Sequence, residues 1–493
     1  MRPAIPIRAR LGAALAATAL AFGSVGATAA AVYPAIQPAV SDYQLVSTGA
    51  TPPTEAQCNA VARRCFTPQG FWAAYNLGPL FSRGIDGRGM TVAIVDSYGS
   101  DTIAHDLNVF DTAFGLPHMC GEEGVTCTAG MPTFKRISIQ GTPATVQQPG
   151  NGTGQENKAA WSIEVSLDVE SVHTFAPGAN ILLVTVPTAE TLGVQGFPLM
   201  MNAEQYLVDH HLATVISQSF ASAEEGFSST QSLLNLRHAY VSAAANSVTV
   251  LGSSGDGGTA NIIKTPVATG GTLIPFPTVE WPASDPLVTG VGGTYLCTDP
   301  AASTRVVDST PPPVNCGGAN TGQAEVGWID AGGGFSHVFS KPAYQDSLPT
   351  GSTPIGAMRG VPDIASEASS RTGPLVYDTN AGLGGATNVA GGNGGWFVIG
   401  GTSVACPQWA GMVAVADQIN GGGLGLINPG LYAIGANPAR YANDFFDVTT
   451  GNNQADPSVP GYPATTGWDP VTGLGTANAA NLLPDLVAAV HGH

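Results

Sequence analysis

The sequence predicts a single large α/β domain whose core is a mainly parallel central sheet flanked by helices. Three observations carry this prediction. Short, continuous apolar runs recur, each with the length of a strand buried on both faces. Longer helix-compatible segments separate those runs. Glycine is abundant, 64 of 493 residues, and gathers in clusters such as Gly332-Gly333-Gly334, which suit loops over the sheet edges.

Taken in order, residues 1–29 read as a signal peptide. Arg2, Arg8 and Arg10 form a charged start, Leu11 to Val25 an apolar run, and Ala27-Thr28-Ala29 a small-residue end. That run is short for a membrane span and no later stretch reaches 18 apolar residues, so a secreted, extracellular product without stable membrane insertion is expected. Residues 30–65 are rich in Pro, Thr and Ala, show no period, and read as a linker or short pro-segment. The first buried strand is expected at Met90–Val95, ending at Asp96. Ile181–Val186, Thr214–Ser217 and Val248–Leu251 read the same way, with helices expected over Met200–His211 and Ser232–Ala245. The domain is expected to cover 66–487, leaving 488–493 as a tail.

Composition narrows the function. Apolar residues make up 43%, ample for a large core, while charged residues make up 11% against roughly 25% in typical soluble proteins. The net charge of −18 disfavours nucleic acid and anionic membrane surfaces as partners. With carboxylates neutralised in acid, only 17 Lys/Arg and 9 His carry charge, so self-repulsion stays modest and an acidic habitat is tolerable. Seven cysteines fit an oxidising compartment. Neighbour pairing, Cys58/Cys65, Cys120/Cys127 and Cys297/Cys316, is the simplest of several connectivities. Cys406 is left over in an apolar run and reads as a buried, inert thiol rather than a nucleophile.

Several segments carry chemistry. Gly400-Gly401-Thr402-Ser403 precedes a small-residue, apolar stretch, which can place Ser403 at a helix N-terminus where free N–H groups stabilise an oxyanion. Glu164 and Asp168 lie in Trp161-Ser162-Ile163-Glu164-Val165-Ser166-Leu167-Asp168-Val169. Asp256 lies in Ser253-Ser254-Gly255-Asp256-Gly257, after a buried strand. The 161–169 stretch alternates apolar and polar residues, the signature of a strand, on which residues four apart stand about 13 Å apart. On a helix they are neighbours at about 6 Å.

The Ser403 segment resembles the nucleophile turn of both subtilisins and sedolisins. None of the nine histidines stands in the His-Gly-Thr-His context a subtilisin uses. The Glu164 segment instead resembles the Glu-x-x-Leu-Asp element of the sedolisin family, serine–carboxyl peptidases of subtilisin-like fold, and the Asp256 segment resembles that family's Ser-Gly-Asp-x-Gly loop. Val92–Ser100, Trp281–Pro286, Gly332–Ser336 and Arg359–Asp363 match further family stretches in the same order. The resemblance implies a helix over 161–169, Ser403 as nucleophile, Glu164 as general base, Asp168 as its support in hydrogen-bond contact, and Asp256 as oxyanion donor. It implies protein or peptide substrates, and a monomer is expected. A carboxyl donates a hydrogen bond only when protonated, so the chemistry is expected to belong to acidic pH.

The family's calcium site uses two further segments, around Asp447 and Asp469. Carried over, Asp447 and Asp469 supply carboxylates and Val448, Thr465 and Gly467 supply carbonyls to one Ca²⁺, which takes six or more oxygens. The plainer reading is a pair of turn-capping aspartates. Asp96 is open to two readings, a turn cap or a support for the Glu164/Asp168 pair. Sedolisins usually carry a long N-terminal pro-domain, whereas only residues 30–65 separate the signal peptide from the domain here. Two alternatives remain: a subtilisin-type Ser-His-Asp hydrolase with Asp96 as its acid, and a non-catalytic secreted binding protein on a protease scaffold.

Overall fold

The computed structural model describes residues 37–38, 42–141, 144–147, 158–187, 196–264, 271–310, 314–379 and 394–492. The region assigned to a signal peptide lies outside these residues. The described chain is built on one nine-stranded sheet. Its main path runs Glu325–Gly327, Thr289–Leu296, Thr249–Ser253, Val215–Gln218, Thr91–Ser97, Asn180–Val186, Phe134–Ile139, Val146–Gln147, and Ile364–Glu367 also pairs with Thr289–Leu296. Pairing is parallel except at the two ends of the path, where Glu325–Gly327 and Val146–Gln147 run antiparallel. All four strands expected from apolar runs are present, and the first continues through Asp96 to Ser97.

These strands are continuous apolar runs because both faces are covered. On Thr91–Ser97, Val92 and Ile94 enter one core with Val165, Val169, Trp409 and Val413, while Ala93 and Val95 enter another with Met200, Met201, Leu207 and Tyr240. The first core packs the helices Lys158–Phe175 and Thr402–Asn420 against the sheet, and the second packs Phe197–Asp209 and His238–Ala245. The helix expected over 232–245 is broken in two, Thr230–Leu234 and His238–Ala245. Between them Arg237 turns aside, and its guanidinium bonds Asp285 Oδ1 at 2.8 Å.

Residues 161–169 are helical, against their alternating pattern. The helix is buried on every side, so no solvent stripe imposes a 3.6-residue period. Ile163 and Leu167 pack against Val376, Phe397, Ile399 and Val404, Val165 and Val169 join the first core, and Trp161 the second. The alternating polar residues are buried too, and several have polar partners inside the protein. Ser162 and Ser166, one turn apart, donate to Asp378 Oδ2 at 3.1 and 3.0 Å, and Glu170 Oε2 accepts from the Tyr377 N–H at 3.0 Å.

The stretch read as a linker contributes order of its own. Asp42–Ser47 adds antiparallel to Gly395–Gly400, making the outer strand of a three-stranded sheet with Leu375–Asp378, and Glu55–Ala60 forms a helix capped by Thr54. At the other end, the helix Ala479–His491 runs into residues read as a tail.

Candidate active site

Ser403 is positioned by the turn that joins Gly395–Gly400 to the helix Thr402–Asn420. Gly401 caps that helix at φ 147°, a conformation that favours glycine, and its N–H bonds the Ala368 carbonyl at 2.7 Å. Ser403 is therefore the second residue of the helix, where backbone N–H groups lack an intrahelical acceptor. Its side chain is buried, and its hydroxyl donates to the Ser219 carbonyl at 3.4 Å.

Glu164 and Asp168 lie one turn apart on their helix, both with no exposed surface. Asp168 Oδ1 accepts from the Ser219 hydroxyl at 2.9 Å. Ser219 thus holds Asp168 through its side chain and Ser403 through its carbonyl. Neither oxygen of Glu164 has an N–H or O–H hydrogen-bond partner among the described residues. Burial pushes the Glu164 pKa well up, the charges of Asp168 and Asp96 push it further, and the nearby Ser403 hydroxyl opposes them. Asp168 is raised by burial and by Asp96.

Asp96 is a third member of this group. It is fully buried, neither of its oxygens has a hydrogen-bond partner, and burial pushes it up to about 8. A turn cap would be bonded to backbone N–H groups; Asp96 is not. Three carboxyls in one dry pocket cannot all ionise, so the cluster holds protons into the pH range where exposed carboxylates have lost theirs.

Asp256 reaches the same turn from the other side. Its Oδ1 accepts from the Thr402 N–H at 2.7 Å and the Thr402 hydroxyl at 2.8 Å, while its buried Oδ2 has no partner. Thr402 Oγ1 in turn accepts from the Gly255 N–H at 3.1 Å. Burial raises the Asp256 pKa well above the usual range, with the charges of Glu280 and Asp330 adding to it against the Thr402 hydrogen bonds. The arrangement leaves one carboxyl oxygen of Asp256 without a hydrogen bond from the described residues, next to the residue that precedes Ser403.

Ser219 and Thr402 were not singled out in the sequence. Ser219 carries no motif of its own; its only signal is its place just after the buried strand Val215–Gln218. Histidine plays no part in these contacts: His173, on the Glu164 helix, bonds the Pro117 carbonyl at 3.0 Å and faces Asp111 at 3.3 Å. Cys406 is buried against the Gln218 carbonyl at 3.6 Å, and burial pushes its thiol up to about 12, which makes it inert. The three disulfides pair neighbours, Cys58–Cys65, Cys120–Cys127 and Cys297–Cys316. No described helix is long and apolar enough to cross a membrane.

Asp447 and Asp469 come together far from Ser403 in sequence. Asp447 Oδ1 accepts from the Tyr441 hydroxyl at 3.0 Å and its Oδ2 from the Gly467 N–H at 3.0 Å. Asp469 Oδ2 accepts from the Thr465 N–H at 2.8 Å, and its Oδ1 from the N–H groups of Val471 and Thr472. Burial raises both, Asp469 to about 7, and no cationic side chain acts on either. The carbonyls of Val448, Thr465 and Gly467 accept no hydrogen bond from the described residues. Two carboxylates without a counter-charge and three free carbonyls form an all-oxygen donor set that fits Ca²⁺.

A comparison with models of known protein families gave no match. The chain is 30% identical over 445 residues to kumamolisin from Bacillus sp. (strain MN-32), covering 88% of the chain and 66% of the relative. It is 30% identical over 405 residues to sedolisin from Pseudomonas sp. (strain 101), covering 82% of the chain and 59% of the relative. The chain thus spans about two thirds or less of the length of these relatives. Among solved structures, Pseudomonas sedolisin, a serine-carboxyl proteinase complexed with two molecules of pseudo-iodotyrostatin, superposes with a TM-score of 0.63 at 26% identity, covering 86% of this chain and 99% of that one. With the mainly parallel, helix-flanked sheet described above, these likenesses establish that the chain belongs to the sedolisin family, whose fold is a subtilisin-like α/β sandwich.

Proposed function

We propose that this chain is a secreted, acid-active serine–carboxyl peptidase that hydrolyses peptide bonds in proteins or peptides. The observation that carries the reading is Ser219. It binds Asp168 with its hydroxyl and Ser403 with its carbonyl, so one residue ties the acid helix to the nucleophile turn. In this reading Ser403 Oγ attacks the peptide carbonyl and Glu164 takes its proton. The tetrahedral oxyanion is held by the Ser403 N–H and by protonated Asp256. Glu164 then gives the proton to the leaving amine, and water repeats the sequence on the acyl-enzyme. Asp168 orients Glu164 and shares its proton load, and Asp96, raised with them, joins the same sharing of protons. Acid favours the reaction because Asp256 must keep a proton to donate. The disulfides agree with an oxidising, extracellular site of action.

Cleavage of a peptide library across acidic and neutral pH tests this reading. Activity confined to acid and abolished by Ser403→Ala is expected. Asp96→Asn removes one titrating member of the cluster, so the pH–rate profile shifts, and an unchanged profile would take Asp96 out of the reading. Activity persisting in Ser403→Ala would overturn the assignment.

Asp447, Val448, Thr465, Gly467 and Asp469 would hold one Ca²⁺, which supplies the counter-charge that the two carboxylates lack. A chelator should lower the thermal midpoint. An unchanged midpoint and unchanged activity would remove calcium from the reading.

A further inference from the structure

A second set of metal-binding side chains lies away from both sites. Asp111 lies in the last turn of the helix Ile103–Phe114, and His118 and Glu122 follow on the next loop. One ligand atom from each of the three lies within 4.8 Å of the others. Asp111 and Glu122 are buried, and His118 is partly exposed, its side chain at 38%. The loop is stiff. Cys120 is disulfide-bonded to Cys127 and exchanges backbone hydrogen bonds with the 132–134 segment, its N–H to the Pro132 carbonyl and its carbonyl from the Phe134 N–H.

Burial here is not matched by hydrogen bonding. Asp111 is fully buried, yet neither carboxyl oxygen receives a hydrogen bond from the described residues. His173 Nε2, whose hydrogen bond goes to the Pro117 carbonyl, pairs with Asp111 Oδ2 at 3.3 Å, and Asp111 Oδ1 receives no N–H or O–H hydrogen bond from the described residues. His173 is one counter-charge against two buried carboxyls, Asp111 and Glu122, and a buried carboxylate left without a positive partner costs several kcal/mol. His118 Nδ1 lies 2.6 Å from Glu122 Oε2, so a single proton now fills the space between them. Asn108 Nδ2 stands 3.1 Å from Glu122 Oε2 and 3.4 Å from His118 Nδ1, and turning its amide over would offer Oδ1 instead.

We propose that Asp111, His118 and Glu122 form a binding site for a divalent transition-metal ion of the Zn²⁺ type. One imidazole nitrogen with two carboxylates suits such an ion better than Ca²⁺ or Mg²⁺, which take oxygen. Ligands about 2.0–2.1 Å from a tetrahedral ion stand about 3.3 Å apart. The His118–Glu122 pair therefore opens slightly as metal replaces the proton. The fourth position is filled by Asn108 Oδ1 or by water from the exposed side of His118. The ion ties the 115–122 loop to the helix Ile103–Phe114. Through His173 it also backs the helix that carries Glu164 and Asp168.

The test is calorimetric titration of the full chain with ZnCl₂ near neutral pH, in excess calcium to fill the oxygen-only site. One Zn²⁺ per chain is expected, with a rise in thermal midpoint. His118→Ala should weaken binding by more than the roughly 10–100-fold typical of losing an outer-shell partner, and should abolish the rise. Glu122→Gln keeps the acceptor for the Met119 N–H but loses the charge, and should behave alike. His210, His211 and His491 remain in both variants, so adventitious surface binding would survive. His118 is partly exposed, so its variant should fold and decides the matter should Glu122→Gln fail to. No stoichiometric uptake by the wild type, or equal uptake by His118→Ala, would overturn the proposal.

Discussion

At the scale of single residues, the site works by withholding hydrogen bonds as much as by making them. Asp256 spends one oxygen on Thr402, the residue that precedes Ser403, and keeps the other unpartnered. Removing an oxyanion donor typically costs about 10²–10³ in kcat, so Asp256→Ala should lose roughly that factor with KM little changed. Asp256→Asn keeps a donor at every pH and should retain more activity. Its alkaline limb should also move upward, because the proton that Asp256 must hold is no longer needed. Near-normal kcat in the alanine variant would take Asp256 out of the mechanism. The candidate residues of the site and their order were legible in the sequence through the family resemblance. Ser219, which joins them, was not, because a serine at a strand end has no pattern of its own and its role comes from a contact 51 residues back.

At the scale of elements, two buried helices set the geometry. The helices Lys158–Phe175 and Thr402–Asn420 cross where Gly411 meets Phe175 and Val172. A Cβ at Gly411 would stand 2.6 Å from Phe175 Cβ and 3.1 Å from its carbonyl carbon. Only glycine lets the backbones approach this far, and the two helices that approach carry Glu164 and Ser403. Gly411→Ala should therefore destabilise the fold by about 1–3 kcal/mol. It should also lower kcat although it touches no substrate, and a melting curve with steady-state kinetics checks both. An alanine variant with wild-type melting and kcat would show that the helices have slack. The strands were legible because burial on both faces leaves an unbroken apolar run. The Glu164 helix was misleading for the same reason. Burial all round erased its period, and Ser162, Ser166 and Glu170 looked like the outer face of a strand while bonding Asp378 and the Tyr377 N–H inside the protein.

At the scale of the whole molecule, the fold buries acids that are cheaper to bury when protonated. Glu164, Asp168, Glu170, Glu204, Asp256 and Glu367 are all raised well above their ordinary values with burial as the leading cause, Asp96 to about 8 and Asp417 to about 7. A carboxyl whose folded pKa exceeds its unfolded one binds more protons when folded, so its contribution is complete below the unfolded value and fades as pH rises through the folded one. With an ordinary aspartate value of 3.8 and a folded value near 8 for Asp96, the thermal midpoint should fall between about pH 4 and pH 8. Calorimetry across that range checks it, and a midpoint that climbs toward neutrality would contradict it. The same economy shows in the N-terminal strand. Gly395–Gly400, which leads into Ser403, is flanked by Leu375–Asp378 on one side and Asp42–Ser47 on the other, and Asp42 is pinned by Arg63 at 2.9 Å and by the Ser370 hydroxyl. Any proteolytic maturation that keeps this structure has to cut upstream of Asp42. A cut at residue 66 would strip the neighbour from the strand behind the nucleophile and leave a bare row of N–H and C=O groups, ready to template association with another chain.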